Sequence, residues 1–465
     1  MQTVLFAPET RYISETTRMI DIAHALPDDF TALFMSYGGQ YESMISDAGF
    51  HVHKLEPRMT ESRSNRMFRI EHLDRLGYLV SEADLRVRLK NEIRLFQQFS
   101  PCCVVTGFVH STAISTQIHG IPLLWVTPAT LSKPYFDARL GTWPDVLDFP
   151  VIRWLPDRFL NWWTNRSTTS SAALFKPFNT ICKERGLPRF KSLPHMLETG
   201  YALLSDIPEF VRIGKVPDRY HFVGPFITRL EGEIPDEILN MPKDLPIVYF
   251  AMGSSGKQEI VKKILEGFAG KPYRVIAPVK HLLEGKRSGG DYFNTESVED
   301  GPVEKTDVRG ADTTNRISKR NPELARQMAE EMMSQKGMSV DIPENVLVTG
   351  WLPAHKVNPL ASVSIIHGGQ GTVYNALASG TPVVGVGMQP EQEANLECLV
   401  RHGIGIRIRK KRVTAEKVLD AVSTLLADET AKEKAKQLQK LVQAADGPTG
   451  AAAFIVDTFQ PGNVS

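Results

Sequence analysis

The sequence predicts an α/β protein built on two doubly wound parallel sheets. Short runs rich in Val, Ile and Leu alternate with helical stretches along most of the chain. The runs are apolar on both faces, as strands are in a parallel sheet covered on both sides. A Pro- and charge-rich break near the middle, at 224–246, divides the series into two sets.

The strand candidates follow in order. In the first half they are 3–6, 31–35, 102–106, 121–126 and 201–204; in the second, 247–250, 273–277, 345–348, 363–366 and 382–386. Strand–helix alternation of this kind implies parallel pairing through crossover helices. The domains are expected at 1–225 and 246–445, joined by a linker at 226–245. A tail, 446–465, ends in a short apolar helix that could pack back on the first domain.

Two segments break the pattern. Residues 143–163 (WPDVLDFPVIRWLPDRFLNWW) carry four of the six tryptophans. They read as a well-packed subdomain, or else as an acceptor lid or interfacial segment that is apolar below and wet above. An insertion at about 285–340 starts as a polar, Gly-rich stretch expected to be mobile. It continues as a helix over 321–337, capped by Asn321 with Pro322 in its first turn.

Composition narrows the function. At 465 residues, 42% hydrophobic and 23% charged, the chain is an ordinary globular one. Lys plus Arg is 54 against 53 for Asp plus Glu. A net charge of +1 gives no basic field for nucleic acid. The four cysteines, Cys102, Cys103, Cys182 and Cys398, form no CxxC pair and suit a reducing compartment. No run approaches the roughly 20 apolar residues of a membrane span. The chain opens on a strand rather than a signal sequence. A cytoplasmic protein is expected, with peripheral membrane contact allowed.

The chemistry concentrates at 350–395. The strand 363–366 runs into His367-Gly368-Gly369-Gln370-Gly371-Thr372, with a helix expected from near Thr372. Glycines let the backbone approach a ligand, and free amides at a helix start face a phosphate. His367 can donate a further hydrogen bond. Trp351 precedes a Pro and can present its ring to a base. Glu391 and Gln392 follow the next strand, where a carboxylate beside an amide can bind sugar hydroxyls. Ligands of open parallel sheets bind beyond the carboxyl ends of strands, and all three sites lie there.

This stretch resembles the donor-binding signature of family 1 nucleotide-sugar glycosyltransferases with the GT-B fold. The resemblance covers the second half well and the first half loosely. It implies two Rossmann-like domains facing across a cleft. It also implies that Trp351 stacks on uracil or thymine, and that His367, Gly369, Gly371 and Thr372 hold the pyrophosphate. Glu391 and Gln392 would then hold the sugar. Asn395 also matches a family position, and Ser254 and Ser255 resemble the family's Gly-Ser loop beside the phosphates. The implied activity is inverting, metal-independent transfer of a hexose from a UDP- or dTDP-sugar, without a cofactor. The acceptor would be a hydrophobic or anionic small molecule or lipid. No DxD-type pair or spaced His/Cys cluster suggests a metal.

The sequence departs from the family at two places. Asn375 stands where the family carries a ribose-binding Glu. No His–Asp dyad can be assembled in the first half: Glu15 falls at or near the His position, and Gly107-Phe108 stands where the Asp is expected. Glu15 is therefore the first candidate for the catalytic base, because a carboxylate in a dry cleft can have its pKa raised enough to serve. Its bland reading is a cap on a helix beginning near Thr16. His110 is the second candidate; His24 reads as a packing residue. Arg11 and Arg18, flanking Glu15, read as solvated or as receivers of an anionic acceptor. A non-catalytic nucleotide-sugar binder and a GT-B-like epimerase or hydrolase remain the alternatives.

Overall fold

The computed structural model describes residues 1–71, 77–170, 172–227, 229, 232–253, 256–284 and 342–460. Ser254, Ser255, the polar stretch expected to be mobile and the helix expected over 321–337 lie outside them.

Two all-parallel sheets form, as predicted. The first holds seven strands in the order β3-β2-β1-β4-β5-β6-β7: β1 (Gln2–Ala7), β2 (Phe30–Ser36), β3 (Val52–Lys54), β4 (Cys103–Thr106), β5 (Leu123–Thr127), β6 (Tyr201–Leu204) and β7 (Tyr220–Phe222). The second holds six in the order β10-β9-β8-β11-β12-β13: β8 (Ile247–Ala251), β9 (Arg274–Ala277), β10 (Val346–Val348), β11 (Val363–Ile366), β12 (Val383–Gly385) and β13 (Gly405–Arg407). Each sheet runs outward in both directions from its first strand. The order therefore reverses between β1 and β4, and again between β8 and β11. A crevice opens at such a reversal, beyond the strand ends.

The inner strands are buried along their whole length: Val4, Leu5 and Phe6 in one sheet, Val248, Phe250 and Ile365 in the other. Each such side chain leaving water contributes about 1.5–3 kcal/mol. Helices cover both faces. The helix Gly447–Phe459 packs against the helix Ile13–Ala25, burying Ala451, Ile455 and Phe459 with Met19 and Ile20. Gly447 and Gly450 permit this return. A Cβ at either would come within 2.5 Å of the backbone oxygens of Pro225 or Val223.

At 143–163 the structure departs from the first of the two expected readings, the well-packed subdomain. Trp143 is buried, but Trp154 is 90% exposed, and Trp162 and Trp163 are 53% exposed. This is not a packed subdomain. The helix Asp157–Thr168 buries Leu160, Thr164 and Asn165, and the aromatic residues fall on its other face.

Polar contacts tie the two halves together. Arg407 Nη2 donates to Asp145 Oδ1 at 2.5 Å and to Glu393 Oε2 at 3.1 Å. The Asp145 amide donates to the same Glu393 oxygen at 2.9 Å. Arg412 forms a two-pronged pair with Asp148, both contacts at 2.8 Å. Burial raises the Asp145 carboxyl against the pull of Arg407, and raises Glu393 to about 7, with Asp145 adding to the shift. No described helix is long and apolar enough to cross a membrane.

Candidate active site

Strand register places the groups. In the second sheet Ile366 lies opposite Ala251, so the turn after β11 runs beside the turn after β8. His367 thereby meets Gly253: a Cβ there would lie 2.6 Å from the imidazole Cε1. Gly368 has φ +86°, and a Cβ on it would lie 2.5 Å from the Gln392 carbonyl. A glycine is needed there for the turn to pass so close to the next helix.

The helix after this turn begins at Gln370, not near Thr372, with Gly369 as its N-cap. Its first amides point out of the strand end toward the crevice. Burial lowers His367 to about 4, against a hydrogen bond to the Ala251 carbonyl, so it is a neutral imidazole whose single N–H has that carbonyl as a competing acceptor. Its Nδ1 has no protein partner. Thr372 spends its hydroxyl hydrogen on Gly369 O at 2.8 Å. Asn375 donates to Gly371 O at 2.9 Å, while its buried Oδ1 has no partner. An orphaned acceptor beside the turn is what a ligand hydroxyl would satisfy.

The sugar-clamp candidates divide. Pro390 and Glu391 start the helix Pro390–Arg401. Glu391 Oε1 accepts from Asn395 Nδ2 at 2.6 Å, and Asn395 Oδ1 accepts from Thr130 of the first half at 2.8 Å. Burial raises Glu391 to about 7, opposed by Asn395 and Arg18. Gln392 turns its Oε1 back to the Met388 amide at 3.0 Å. Trp351 is 56% exposed, with its ring against Gly232.

The first sheet supplies the other wall. Ala7 lies opposite Thr106, so the first turn of the helix Ile13–Ala25 sits over Gly107. Glu15 lies inside that first turn and is 1% exposed, so it is not the cap of a helix starting near Thr16. Its Oε1 accepts from the Gly107 amide at 2.7 Å, and its Oε2 has no hydrogen-bond partner. A Cβ at Gly107 would lie 2.3 Å from Oε2. The Glu15 carboxylate thus fills the space a side chain at 107 would need. Burial raises its pKa to about 7, against the pull of Arg18 and the Gly107 amide.

His110 is partly buried near the Trp125 ring, with Nε2 unpartnered. Burial lowers it to about 4. Near neutral pH it holds a proton far less well than Glu15. His24 lies on the helix Ile13–Ala25 with its exposed ring packed on Phe50, as expected of a packing residue.

Arg11 and Arg18 are neither solvated nor free for an anion. Arg11 is 7% exposed and pairs with Glu9 at 3.1 Å and Glu71 at 2.9 Å. Arg18 is 4% exposed. Its Nη1 donates to Val126 O at 3.0 Å and lies 3.7 Å from Glu15 Oε2. Its Nη2 donates to Gln370 Oε1 at 2.6 Å. One guanidinium therefore touches the Glu15 carboxylate and the first residue of the donor-loop helix. Gln370 also engages Ser205 twice, and Tyr374 donates to Asp206 Oδ1 at 2.7 Å. Sequence reasoning missed Gln370, Ser205, Asp206 and Tyr374. The second residue after Gly368, polar and pointing out of a loop that reads as a phosphate cradle, was the one available signal.

The chain is similar to known glycosyltransferases in sequence and in fold. Residues 320–457 match the family model for the erythromycin biosynthesis protein CIII-like C-terminal domain. A PGL/p-HBAD biosynthesis rhamnosyltransferase of Mycobacterium bovis is 21% identical over 94% of this chain and 83% of its own length. The glycotransferase of kitacinnamycin superposes with TM-score 0.63 at 17% identity, over 98% of this chain and 99% of that one. The glycosyltransferase VinC, solved in complex with DTDP, superposes with TM-score 0.58 at 16% identity, over 99% of this chain and 100% of that one. Fold, motif order and relatives together make this chain a glycosyltransferase of the GT-B fold, similar to the family 1 nucleotide-sugar enzymes.

Proposed function

We propose that the chain transfers a sugar with inversion from a dTDP- or UDP-sugar to a hydroxyl of a hydrophobic, lipid-like acceptor, with Glu15 as the base. The observation that carries this reading is the meeting of Glu15 and Gln370 on Arg18, at distances of 3.7 and 2.6 Å. One guanidinium thereby links the Glu15 carboxylate at the first sheet's reversal to the donor loop at the second's.

The step follows from these positions. The acceptor oxygen bonds to the anomeric carbon as its proton passes to the Glu15 carboxylate. The carbon–oxygen bond to the diphosphate breaks on the opposite face, and its electron pair stays on the phosphate oxygen. The amides of Gln370, Gly371 and Thr372 and one N–H of His367 receive that charge. Trp351 and the Asn375 Oδ1 suit the base and ribose, and Glu391 suits a sugar hydroxyl. With Glu15 near 7 and His110 near 4, Glu15 is the better matched base at neutral pH.

The pyrimidine diphosphate is supported by the DTDP complex of VinC, and a deoxysugar donor by the mycobacterial rhamnosyltransferase; the lipid-like acceptor is supported by the exposed Trp154, Trp162 and Trp163. The test is incubation with dTDP-rhamnose or UDP-glucose and a lipophilic phenol, with the anomeric configuration of the product read by NMR. An inverted product is expected. A retained configuration, or sugar release that ignores the acceptor, would refute the reading.

A further inference from the structure

The helix Asp157–Thr168 is amphipathic the wrong way round for a soluble protein. Its inner face is Leu160, Thr164 and Asn165, with Asn165 holding Gly141 through both amide atoms at 2.9 Å. Its outer face is Phe159, Trp162, Trp163 and Arg166, spaced i, i+3, i+4 and i+7. These rings touch one another, Phe159 lying 5.8 Å from Trp162 and 6.2 Å from Trp163. The turn before it, Pro150–Trp154, adds Val151 at 81% and Trp154 at 90% exposure. Single exposed apolar residues are ordinary, but a contiguous set of tryptophans is not.

We propose that this face docks on the surface of an anionic lipid bilayer and places the acceptor cleft beside the membrane. The inference rests on the lipid-like acceptor reading above and names the partner of that same site. Charge complementarity selects the occupant. Arg158 and Arg166 are exposed on the same helix as the aromatic residues, and its exposed acid, Asp157, faces Arg409 at 3.7 Å. Trp and Arg interleaved on one helix face suit the interfacial zone, where rings enter the acyl boundary and guanidinium groups meet lipid phosphates. Trp and Arg are also enriched where two protein surfaces meet; the excess of exposed positive charge around the rings would repel a second copy of the same face and favours an anionic surface. The face also sits in the right place. Asp145 and Asp148, just ahead of it in sequence, are clamped to Arg407 and Arg412, and Glu393 shares that clamp. Glu393 and Glu391 stand on the same helix, Pro390–Arg401, so the segment that carries the face is tied to the element that carries a donor-site candidate.

The test uses the full chain and sedimentation with two kinds of vesicle, phosphatidylcholine alone and phosphatidylcholine mixed with phosphatidylglycerol. The wild type should bind the mixed vesicles, and salt should weaken binding. Each exposed Trp removed should weaken partitioning by about tenfold, given roughly 60 Å² of ring leaving water. A Trp154→Ser, Trp162→Ser, Trp163→Ser variant should therefore lose vesicle binding while keeping its melting temperature and its affinity for dTDP. An Arg158→Gln, Arg166→Gln variant should lose the preference for anionic lipid. The triple variant should keep transfer to a water-soluble acceptor and lose transfer to one embedded in vesicles. Absence of vesicle binding by the wild type, or undiminished binding by the triple variant, would overturn the proposal. So would a wild-type dimer that the triple variant dissociates, since the face would then be a self-interface. Affinity for dTDP separates the two readings: vesicle binding without it would sink the glycosyl-transfer site and leave the membrane face standing.

Discussion

Replacing Glu15 by Gln tests the proposed base in two opposite ways. The carboxylate is 1% exposed, accepts one amide hydrogen bond and carries a pKa raised from 4.5 to about 7 by burial. Gln keeps the acceptor for Gly107 and cannot take a proton. Transfer should therefore fall by about 10²–10⁴-fold, the usual worth of general base catalysis. Stability should move the other way. The folded carboxyl holds its proton to higher pH than the unfolded one, so the folded state binds more protons between 4.5 and about 7. The wild type thus loses stability as pH rises through that window. The full interval corresponds to at most about 3 kcal/mol. Urea titrations should show Glu15→Gln equal to wild type near pH 4 and more stable at pH 8. Wild-type kcat/KM should rise with pH and level off above about 7. Activity retained in Glu15→Gln, or a variant less stable than wild type at pH 8, would refute the assignment; the latter would mean that Arg18 keeps the carboxylate ionised.

Other expectations follow from the same contacts. Gly107→Ala should silence transfer and cost about 1–3 kcal/mol in a denaturant titration, since its methyl would fall 2.3 Å from Glu15 Oε2. Arg18→Met leaves Gln370 and Glu15 without their shared partner; a loss of about 3–5 kcal/mol is expected, and an unchanged unfolding midpoint would show that the contact contributes nothing. Trp351→Ala should weaken nucleotide binding by about 1–3 kcal/mol in calorimetry, and unchanged affinity would remove this ring from the donor site. His367→Ala should reduce kcat far more than donor affinity, because its N–H meets charge that develops as the diphosphate leaves; equal losses in both would give it a binding role alone.

The sheets were legible because each inner strand is a short Val/Ile/Leu run buried on both faces. The strands missed are β3, β7 and β13, each three residues long and each at or beside a sheet edge. Sequences such as Val-His-Lys and Gly-Ile-Arg lie partly in water and carry no apolar run. The donor loop was legible because its parts are neighbours in sequence: a strand, three glycines, a helix start. The interdomain contacts were not. Arg18 and Gln370 are 352 residues apart, and Ser205 and Gln370 are 165 apart. No local pattern marks such a pair. For the same reason Arg11 and Arg18 read as surface charges, whereas their partners Glu71, Gln370 and Val126 bury them. The packed-subdomain reading of the tryptophan segment rested on the ordinary rule that large rings pack inward. Its helix instead anchors through Leu160 and Asn165 and leaves the rings outside.

Calorimetric titration of the purified protein with dTDP, UDP, ADP and GDP tests the donor site directly. Tight, one-to-one binding of dTDP or UDP, weak binding of the purine diphosphates, and loss of affinity in Trp351→Ala are the expected result. Binding of none of the four, or equal binding of all with Trp351 immaterial, would contradict a pyrimidine nucleotide-sugar site at the β8–β11 reversal.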